Sequence, residues 1–294
     1  MYGRNRIEGI KLTKIKIMTD SSVQLTPEEI DRYQITIVPL TISIDGKTYI
    51  DGEDISRSDF VKKMKESVEL PKTSQPSIGR FVDVIKNLTA DGSKVIGIFL
   101  AKSLSGTIDA ARQAVEIAGV GDQVTLIDSE LTDRAEGLQV LAAAKDAQAG
   151  KTVEEIIAHV EQLKKGQELR MMVVDLKNLI KGGRLGALTG KVATLLNIRV
   201  ELHMPDGQLG VFKKGRGKKF SKAFDEQVLK EIEEKKDRIT DVGISYVDTP
   251  EEMELLADRI HEINPSINVL VRQTSPIVAT HAGTGAYAIL YIVK

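Results

Sequence analysis

The sequence predicts an α/β protein made of two α/β domains, and three observations support this. Short apolar runs of strand length alternate with segments whose apolar residues recur at helical spacing, which is typical of helix-covered parallel sheets. The chain has 294 residues, enough for two ordinary domains. A polar stretch, Lys164 to Arg170, interrupts the alternation near the middle of the chain. We therefore expect an extension at 1–13, a first domain at 14–168 and a second domain at 169–294.

The first domain is predicted to contain a mostly parallel sheet with helices on both faces. Strands are predicted at 14–20, 94–101 and 124–130. Thr26 and Pro27 are typical of a helix N-cap and a first helical residue, and Asp45–Gly46 is a hairpin signal. Further helices are predicted from Ser56, after Pro76, after the segment SLSGT, at 133–148 and at 153–165.

The second domain is predicted to be a mixed α/β domain. It begins with a strand at 171–175, followed by a helical segment at 176–197. An extended hairpin follows at 198–214, with its turn at PDG. The pattern then gives a helix at 218–236, a strand at 242–248, a helix at 250–263 and a strand at 268–274. The chain closes with a glycine-rich loop that contains His281 and with an apolar extended run.

The composition excludes several classes of function. The chain has no cysteine, so disulfides, thiolate chemistry and zinc-finger sites are excluded, which fits a cytoplasmic protein. Its four histidines are far apart in sequence, so we expect no metal site. The formal net charge is −1 and tryptophan is absent, so we expect no nucleic-acid partner. The longest apolar run, Ala286 to Val293, is too short to span a membrane.

Hydroxyl-rich segments stand where strands give way to helices. They are TDSS at 19–22, KTSQPS at 72–77, SLSGT at 103–107 and DSE at 128–130. In open α/β sheets the ligand crevice lies at the carboxyl ends of the strands, where helix N-termini offer free N–H groups. Such segments can form a neutral cradle for a carboxylate or a phosphate, or they can simply cap helices.

Two further stretches carry positive charge or glycine. Arg184 follows two glycines, and 213–219 (KKGRGKK) has five positive charges, so either stretch is a solvated loop or faces a phosphate or an acidic partner. Neither has the spacing of a P-loop. Gly283 and Gly285 lie close to His281, which favours backbone approach to a small ligand.

Taken in order, these segments resemble the DegV family, which includes the fatty-acid-binding B subunits of bacterial fatty acid kinase. The matching pieces are TDSS, KTSQPS, SLSGT, IDSE at 127–130, LIKGGRLG at 179–186 and HAGTGA at 281–286. Together they cover about 14–294. Two positions depart from the family pattern: Arg199–Val200 stand where Lys-Pro is usual, and Thr284 stands where proline is common.

The resemblance implies a lipid-binding subunit, not itself an enzyme, that holds a long-chain fatty acid and needs no cofactor. It implies that Thr73 and a serine of SLSGT, Ser105 in preference to Ser103, hold the carboxylate beside His281. Arg184 and Arg216 match basic positions that face the ATP-dependent kinase subunit, the implied partner that makes an acyl-phosphate. Transient membrane contact is compatible with this role. Further pocket residues are expected to be Asp20, Ser21, Ser74, Ser103, Gly106, Thr107 and Gly283.

Two other functions remain open at this point. One is a self-sufficient acyl hydrolase or acyltransferase that uses Ser105 and His281, although the chain lacks a GxSxG elbow. The other is a phosphate or nucleotide binder built on Arg184 and the basic stretch at 213–219, although no dinucleotide fingerprint is present.

Overall fold

The computed structural model describes residues 14–185 and 197–294 as an α/β protein with three sheets. The predicted N-terminal extension at 1–13 lies outside the described residues. Residues 186–196 of the predicted helical segment also lie outside them. Among the residues that are described, no helix is long and apolar enough to cross a membrane.

The first sheet is parallel and confirms the fold class predicted for the N-terminal half. Its strands are β1 (Ile15–Asp20), β2 (Thr36–Val38), β6 (Lys94–Phe99) and β7 (Val124–Asp128), in the order β2-β1-β6-β7. Strand β6 alternates: Val95 and Phe99 face one side of the sheet, while Ile96 and Ile98 face the other, and all four are buried. Both faces of this sheet are therefore covered.

Five of the helices supply the two covering layers. On one side are α3 (Ile78–Thr89) and α4 (Thr107–Ala118), and on the other are α1 (Pro27–Tyr33), α5 (Asp133–Gln148) and α6 (Val153–Gly166). The predicted N-cap at Thr26 is confirmed, and Glu29 completes a capping box there. In KTSQPS it is Ser77 that caps α3, by accepting a hydrogen bond from the N–H of Arg80 at 3.2 Å.

A small antiparallel sheet stands beside the first and was not separated from it by sequence. It consists of β3 (Thr41–Ile44), β4 (Lys47–Ile50) and β5 (Lys72–Ser74), with α2 (Arg57–Glu66) between β4 and β5. The turn at Asp45 and Gly46 has positive φ at both residues, 45° and 79°, as the predicted two-residue hairpin requires. Thr73 lies on β5 opposite Ile42.

The third sheet is mixed and belongs to the C-terminal half, as the sequence predicts. Its order is β10-β9-β8-β13-β11-β12, and only β11 and β12 pair in parallel. The strands are β8 (Gln167–Val173), β9 (Ile198–His203), β10 (Gly210–Arg216), β11 (Ile239–Tyr246), β12 (Asn268–Gln273) and β13 (Tyr287–Val293). One face packs against α8 (Gly217–Glu234) and α9 (Pro250–Ile263).

Two details of this half differ from the sequence expectation. Strand β8 starts at Gln167, directly after α6 ends at Gly166, so the polar stretch is helix and strand instead of a linker. The division into domains at 168/169 stays a prediction. His281, expected in a loop, lies in the last turn of α10 (Pro276–Ala282), because Ser275 and Pro276 start a helix that Gly283 ends.

The other face of the third sheet turns toward the first half of the chain. Here α10, α7 (Lys177–Lys181), α2 and the small sheet form one apolar cluster with β8 and β9. The N-terminal end of α5 is also buried against this sheet: the Asp133 carboxylate accepts hydrogen bonds from the hydroxyls of Ser245 and Thr274. A ligand cavity in this seam would therefore be lined by residues of both halves.

Candidate functional site

A mostly apolar cavity lies in this seam, and we call it the outer chamber. Its apolar wall comes from both halves of the chain: Leu40, Leu100, Leu104, Leu169, Met171, Leu179, Met204, Leu209, Ile277, Val278 and Ala282. Its polar side chains are Thr73, Ser105, Thr132, Arg184 and His281. The chamber therefore combines an apolar body with a few polar groups.

Thr73 and His281 meet at one end of the outer chamber. The hydroxyl oxygen of Thr73 lies 2.9 Å from Nε2 of His281, although 208 positions separate the two residues in sequence. Thr73 is delivered by the short strand β5 and His281 by the last turn of α10. The structure thus brings together two of the three residues expected at a carboxylate.

The third, Ser105, lies in the turn before α4 and also lines the chamber. Its hydroxyl oxygen lies 2.9 Å from that of Thr107 and accepts a hydrogen bond from the Thr107 N–H at 3.3 Å. Gly106 provides the N-cap without a side chain, and a Cβ there would overlap the Gln75 amide. Ser105 therefore presents its hydroxyl at a helix N-terminus, and Gly106 and Thr107 shape that turn.

Ser103 has a different position. Its hydroxyl donates to the carbonyl of Gly207, in the turn of the β9–β10 hairpin, and Ser103 is not among the residues that line the chamber. This contact holds the hairpin over the chamber, where Met204 and Leu209 supply part of the wall. The geometry therefore favours Ser105 over Ser103 as the ligand-facing serine.

His281 is a neutral imidazole at pH 7. Burial, with a smaller contribution from the Arg184 cation, lowers its pKa from 6.5 to about 4. Its Nδ1 has no hydrogen-bond partner among the described residues, and a Cβ at Gly182 would lie 2.5 Å from that atom. A proton on Nδ1 would leave a buried donor unpaired, which costs more than an unpaired acceptor. We therefore assign the proton to Nε2, which donates to Thr73 and frees the Thr73 O–H for another acceptor.

The two arginines expected to face a kinase lie in different places. Arg184 lines the chamber, and its guanidinium donates to the carbonyls of Leu104 at 3.2 Å and Gly182 at 2.6 Å. Burial lowers the pKa of this guanidinium. Arg216 is exposed at the end of β10 and does not line the chamber. Only Arg184 is therefore near the polar end.

Asp20 and Ser21 position the wall and do not line the outer chamber. The Asp20 carboxylate accepts hydrogen bonds from the N–H groups of Ser22 at 2.8 Å and Leu100 at 2.9 Å. The Ser21 hydroxyl accepts from the N–H of Leu40 at 3.1 Å. Leu100 and Leu40 both line the chamber. Asp20 and Ser21 therefore position the chamber wall by binding the backbone N–H groups of these two residues.

Ser74 and Gly283 also have supporting positions. Ser74 is exposed on β5 and pairs with Thr41 across the small sheet. Gly283 ends α10 with φ of 76°, a conformation that favours glycine, and it packs against Asn178. Asn178 in turn donates to the carbonyl of Thr280 at 2.8 Å, which fixes the turn that carries His281.

Sequence reasoning missed the hairpin wall and one buried acid. Met204 and Leu209 flank the PDG turn, but nothing in their local pattern indicates that the turn folds over another sheet. Glu136, fully buried on α5, accepts hydrogen bonds from Thr19 at 2.9 Å and Ser22 at 3.0 Å. A single Glu on a helix carries no motif that would have signalled this.

The geometry does not assemble a serine hydrolase from the described residues. The hydroxyl of Ser105 is bonded to Thr107, and Nε2 of His281 is bonded to Thr73. A triad would instead need a base bonded to the serine and a group that orients the base. The same residues, 14–185 and 197–294, contain no cluster of ligands for a metal ion.

Comparison with known proteins gives one consistent result. A family model described as "Uncharacterised protein, DegV family" matches residues 14–294. A DegV domain-containing protein of Streptococcus pneumoniae is 40% identical over 280 residues, which is 95% of this chain and 98% of that protein.

Two solved structures show the same fold. DegV from Bacillus subtilis, a fatty acid binding protein, is 27% identical with a TM-score of 0.87, over 96% of this chain and 100% of that one. A stearic acid-binding protein from Eubacterium ventriosum is 26% identical with a TM-score of 0.82, over 95% of this chain and 98% of that one.

Proposed function

The chain belongs to the DegV family, and we propose that it binds a long-chain fatty acid and presents its carboxylate to a separate ATP-dependent kinase subunit. One observation carries the proposal: a Thr73–His281 pair lines an apolar chamber that Ser105 also lines. The fatty acids bound by the B. subtilis and E. ventriosum proteins support it.

The apolar chamber supplies the affinity. Burying about 15 methylenes contributes roughly 12 kcal/mol at about 0.8 kcal/mol each. The loss of translational, rotational and chain freedom offsets a large part of that gain. Hydrophobic burial of a hydrocarbon chain does not depend on which way the chain points. The polar end must therefore fix the orientation of the ligand.

The polar end holds the carboxylate with neutral donors. With the proton of His281 on Nε2, we expect the Thr73 hydroxyl to donate to one carboxylate oxygen and the Ser105 hydroxyl, at the start of α4, to donate to the other. Such hydrogen bonds are what a buried carboxylate needs to stay ionised. Arg184 uses its guanidinium on the carbonyls of Leu104 and Gly182, so we expect it to leave the carboxylate oxygens open to a phosphoryl donor.

A polar depression outside this end suits the approach of a kinase. Thr73, Arg184 and His281 line it as well as the outer chamber, and Lys72 and Lys181 stand at its rim. These cations would attract a phosphoryl group, and Arg216 would contact the kinase from the exposed end of β10. Since the donor is ATP, the proposal places the protein in the cytoplasm, with transient membrane contact when it collects its ligand.

Lipid extraction tests the binding step. We expect mass spectrometry of an organic extract of the denatured, purified protein to show about one long-chain fatty acid per chain, with palmitate or oleate taken up by depleted protein. Absence of both results would contradict the proposal.

Phosphorylation with a fatty acid kinase catalytic subunit and labelled ATP tests the presentation step. Arg216→Ala should bind palmitate normally and slow acyl-phosphate formation. Lys230→Ala, an exposed cation on α8, is the matched control and should do neither.

A further inference from the structure

A second cleft also crosses the seam between the two halves, and we call it the arginine cleft. Its volume is about 880 Å³, which is in the range of small-molecule sites. Among the described residues, none lines both this cleft and the outer chamber: Pro39 lines the cleft, whereas its neighbour Leu40 lines the chamber. The cleft is therefore a cavity of its own.

Two arginines line the cleft from opposite halves of the chain, Arg57 at the start of α2 and Arg272 on β12. Each uses one nitrogen across the seam: Nη1 of Arg57 donates to the carbonyl of Gln273, and Nη1 of Arg272 donates to the carbonyl of Leu25. Nη1 of Arg57 also donates to the side chain of Gln24. Nε and Nη2 of both arginines have no hydrogen-bond partner in the part of the chain that the structure describes, and none of these atoms is fully buried. Each guanidinium therefore keeps most of its donors free.

The charges of this pair are not neutralised by a salt bridge within the described residues. Burial, together with the neighbouring Arg272 cation, lowers the pKa of Arg57 to about 10, and burial also lowers the pKa of Arg272. Two acids whose charges reach the pair are engaged elsewhere, since Asp133 accepts from two hydroxyls of the second half and Glu29 pairs with Arg134. Holding two part-buried cations together without a counterion is unfavourable. A hydrogen-bonded seam does not require it.

The other acids near the cleft do not complete the pair. Glu53 lines the cleft and pairs with Arg80, and Asp54 accepts a hydrogen bond from a backbone N–H at 2.8 Å. Glu28 is exposed at the start of α1. Asp51 lines the cleft and is only 6% exposed, and its Oδ2 has no hydrogen-bond partner among the described residues. The polar groups of this cleft are therefore not satisfied by the protein itself.

The start of α2 adds further hydrogen-bond donors to the cleft. Ser56, the N-cap, and Ser58 line the cleft beside Arg57. The Ser56 hydroxyl accepts from the N–H of Asp59 at 3.1 Å, which leaves the N–H groups of Arg57 and Ser58, in the first turn, available. The partial positive charge at this helix end stabilises an anion.

We propose that the arginine cleft binds an organic phosphate, with the phosphate group between Arg57 and Arg272 and an apolar or aromatic body against Val23, Ile37 and Tyr246. A phosphate monoester carries up to two negative charges on three terminal oxygens, so it can engage two planar guanidinium groups, whereas a carboxylate fills one. The inference does not depend on the proposed function, because none of these residues lines the outer chamber.

Calorimetric titration of the full chain with phenyl phosphate tests the site. We expect a dissociation constant below about 1 mM. Benzoate has the same ring with a carboxylate and should bind at least about tenfold more weakly. Saturating phenyl phosphate should also raise the melting temperature of the wild-type protein, since it binds only the folded chain.

Three variants locate the binding. Ser58→Asp places a carboxylate beside the arginines and removes no contact across the seam, so phenyl phosphate binding should weaken about tenfold or more. Arg57→Gln and Arg272→Gln keep a donor for the seam carbonyls and lose the guanidinium, and each should weaken binding about 10- to 100-fold. Arg112→Gln, which changes an exposed arginine on α4, is the matched control and should bind as the wild type does.

A wild-type protein that does not bind phenyl phosphate would overturn the proposal. Unchanged binding in the folded cleft variants, or equal weakening in Arg112→Gln, would overturn it too, and benzoate binding as tightly as phenyl phosphate would overturn the assignment to phosphate. If the arginine variants do not fold, Ser58→Asp decides, because that side chain is exposed. Palmitate binding should be the same in all four variants, so the fatty acid site is tested separately.

Discussion

Two regions of this molecule have hydroxyl groups suited to bind a carboxylate, and they differ in where that carboxylate comes from. At the end of β1, Thr19 and Ser22 donate their hydroxyls to Glu136, a side chain of the protein itself. At the chamber, Thr73 contacts His281 and Ser105 contacts Thr107, and among the described residues no carboxylate accepts from either the Thr73 or the Ser105 hydroxyl. The first cluster is complete within the fold, whereas the second is complementary to an acid from outside.

The difference shows why a hydroxyl-rich segment at a strand end does not by itself indicate a ligand site. TDSS and KTSQPS look equivalent in sequence, since both place hydroxyls before a helix. What separates them is a distant residue: α5 brings an acid to one, and α10 brings a neutral imidazole to the other. The first should therefore govern stability and the second should govern binding.

Removing the internal acid gives the largest expected effect. Glu136→Ala leaves a cavity and removes the acceptor of the Thr19 and Ser22 hydroxyl protons, so we expect the free energy of unfolding to fall by about 4 kcal/mol. Glu136→Gln keeps the volume and an acceptor, and should cost less than half as much. Urea denaturation at pH 7 measures both. A stable Glu136→Ala protein that no longer binds palmitate would break the distinction between the two clusters.

The pH dependence of stability should report on His281. Its pKa is about 4 in the folded chain and ordinarily 6.5, so between these values the unfolded chain takes up a proton that the folded chain does not. Stability should therefore fall as pH falls through this window, by about 3 kcal/mol when complete. His281→Gln should lack this component when unfolding is compared from pH 7 to pH 4. Parallel curves for the two proteins would show that the imidazole is not held neutral.

Thr73 should affect palmitate binding, and its removal should also lower stability modestly, because the buried Nε2–H of His281 loses its acceptor. Thr73→Val keeps the shape but removes a hydrogen bond to a charged acceptor, so palmitate binding should weaken about 10- to 30-fold. Thr73→Ser keeps the hydroxyl and should bind within threefold of the wild type. Calorimetry measures both, with thermal unfolding as the check on folding. If Thr73→Val bound palmitate as tightly as the wild type, the carboxylate would not lie at Thr73 on β5.

The smallest expected effect separates the two serines of SLSGT. Ser103→Ala removes only the contact to Gly207 and should cost about 1 kcal/mol of stability, with palmitate affinity within threefold. Ser105→Ala should weaken palmitate binding more than it lowers stability. The reverse ranking in a side-by-side titration would assign the ligand contact to Ser103.

The elements of the fold were largely predictable because their signals are local. The cap at Thr26, the turn at Asp45–Gly46 and the helix at 133–148 follow from neighbouring residues and are confirmed. The helix that carries His281 was missed because the glycines after it dominated the interpretation. The separate small sheet was missed because strand pairing depends on residues distant in sequence. The local sequence of a three-residue strand such as β5 does not indicate its partner.

The site was predictable only in its components. Thr73, Ser105 and His281 come from the resemblance, and their role at a ligand stays a prediction, although all three line the outer chamber. The hairpin wall and the Glu136 contacts depend on how distant segments pack. Local sequence encodes the elements, but it does not encode which of them meet.

The bonds at Asp133 have a consequence for how the chain folds. This residue belongs to α5, in the first half, yet its carboxylate accepts from Ser245 and Thr274 of the second half, and all three are buried. A half made alone would expose this acid and the apolar face around it. We therefore expect both halves to melt in a single cooperative transition, and fragments divided at 168/169 to regain structure only when mixed.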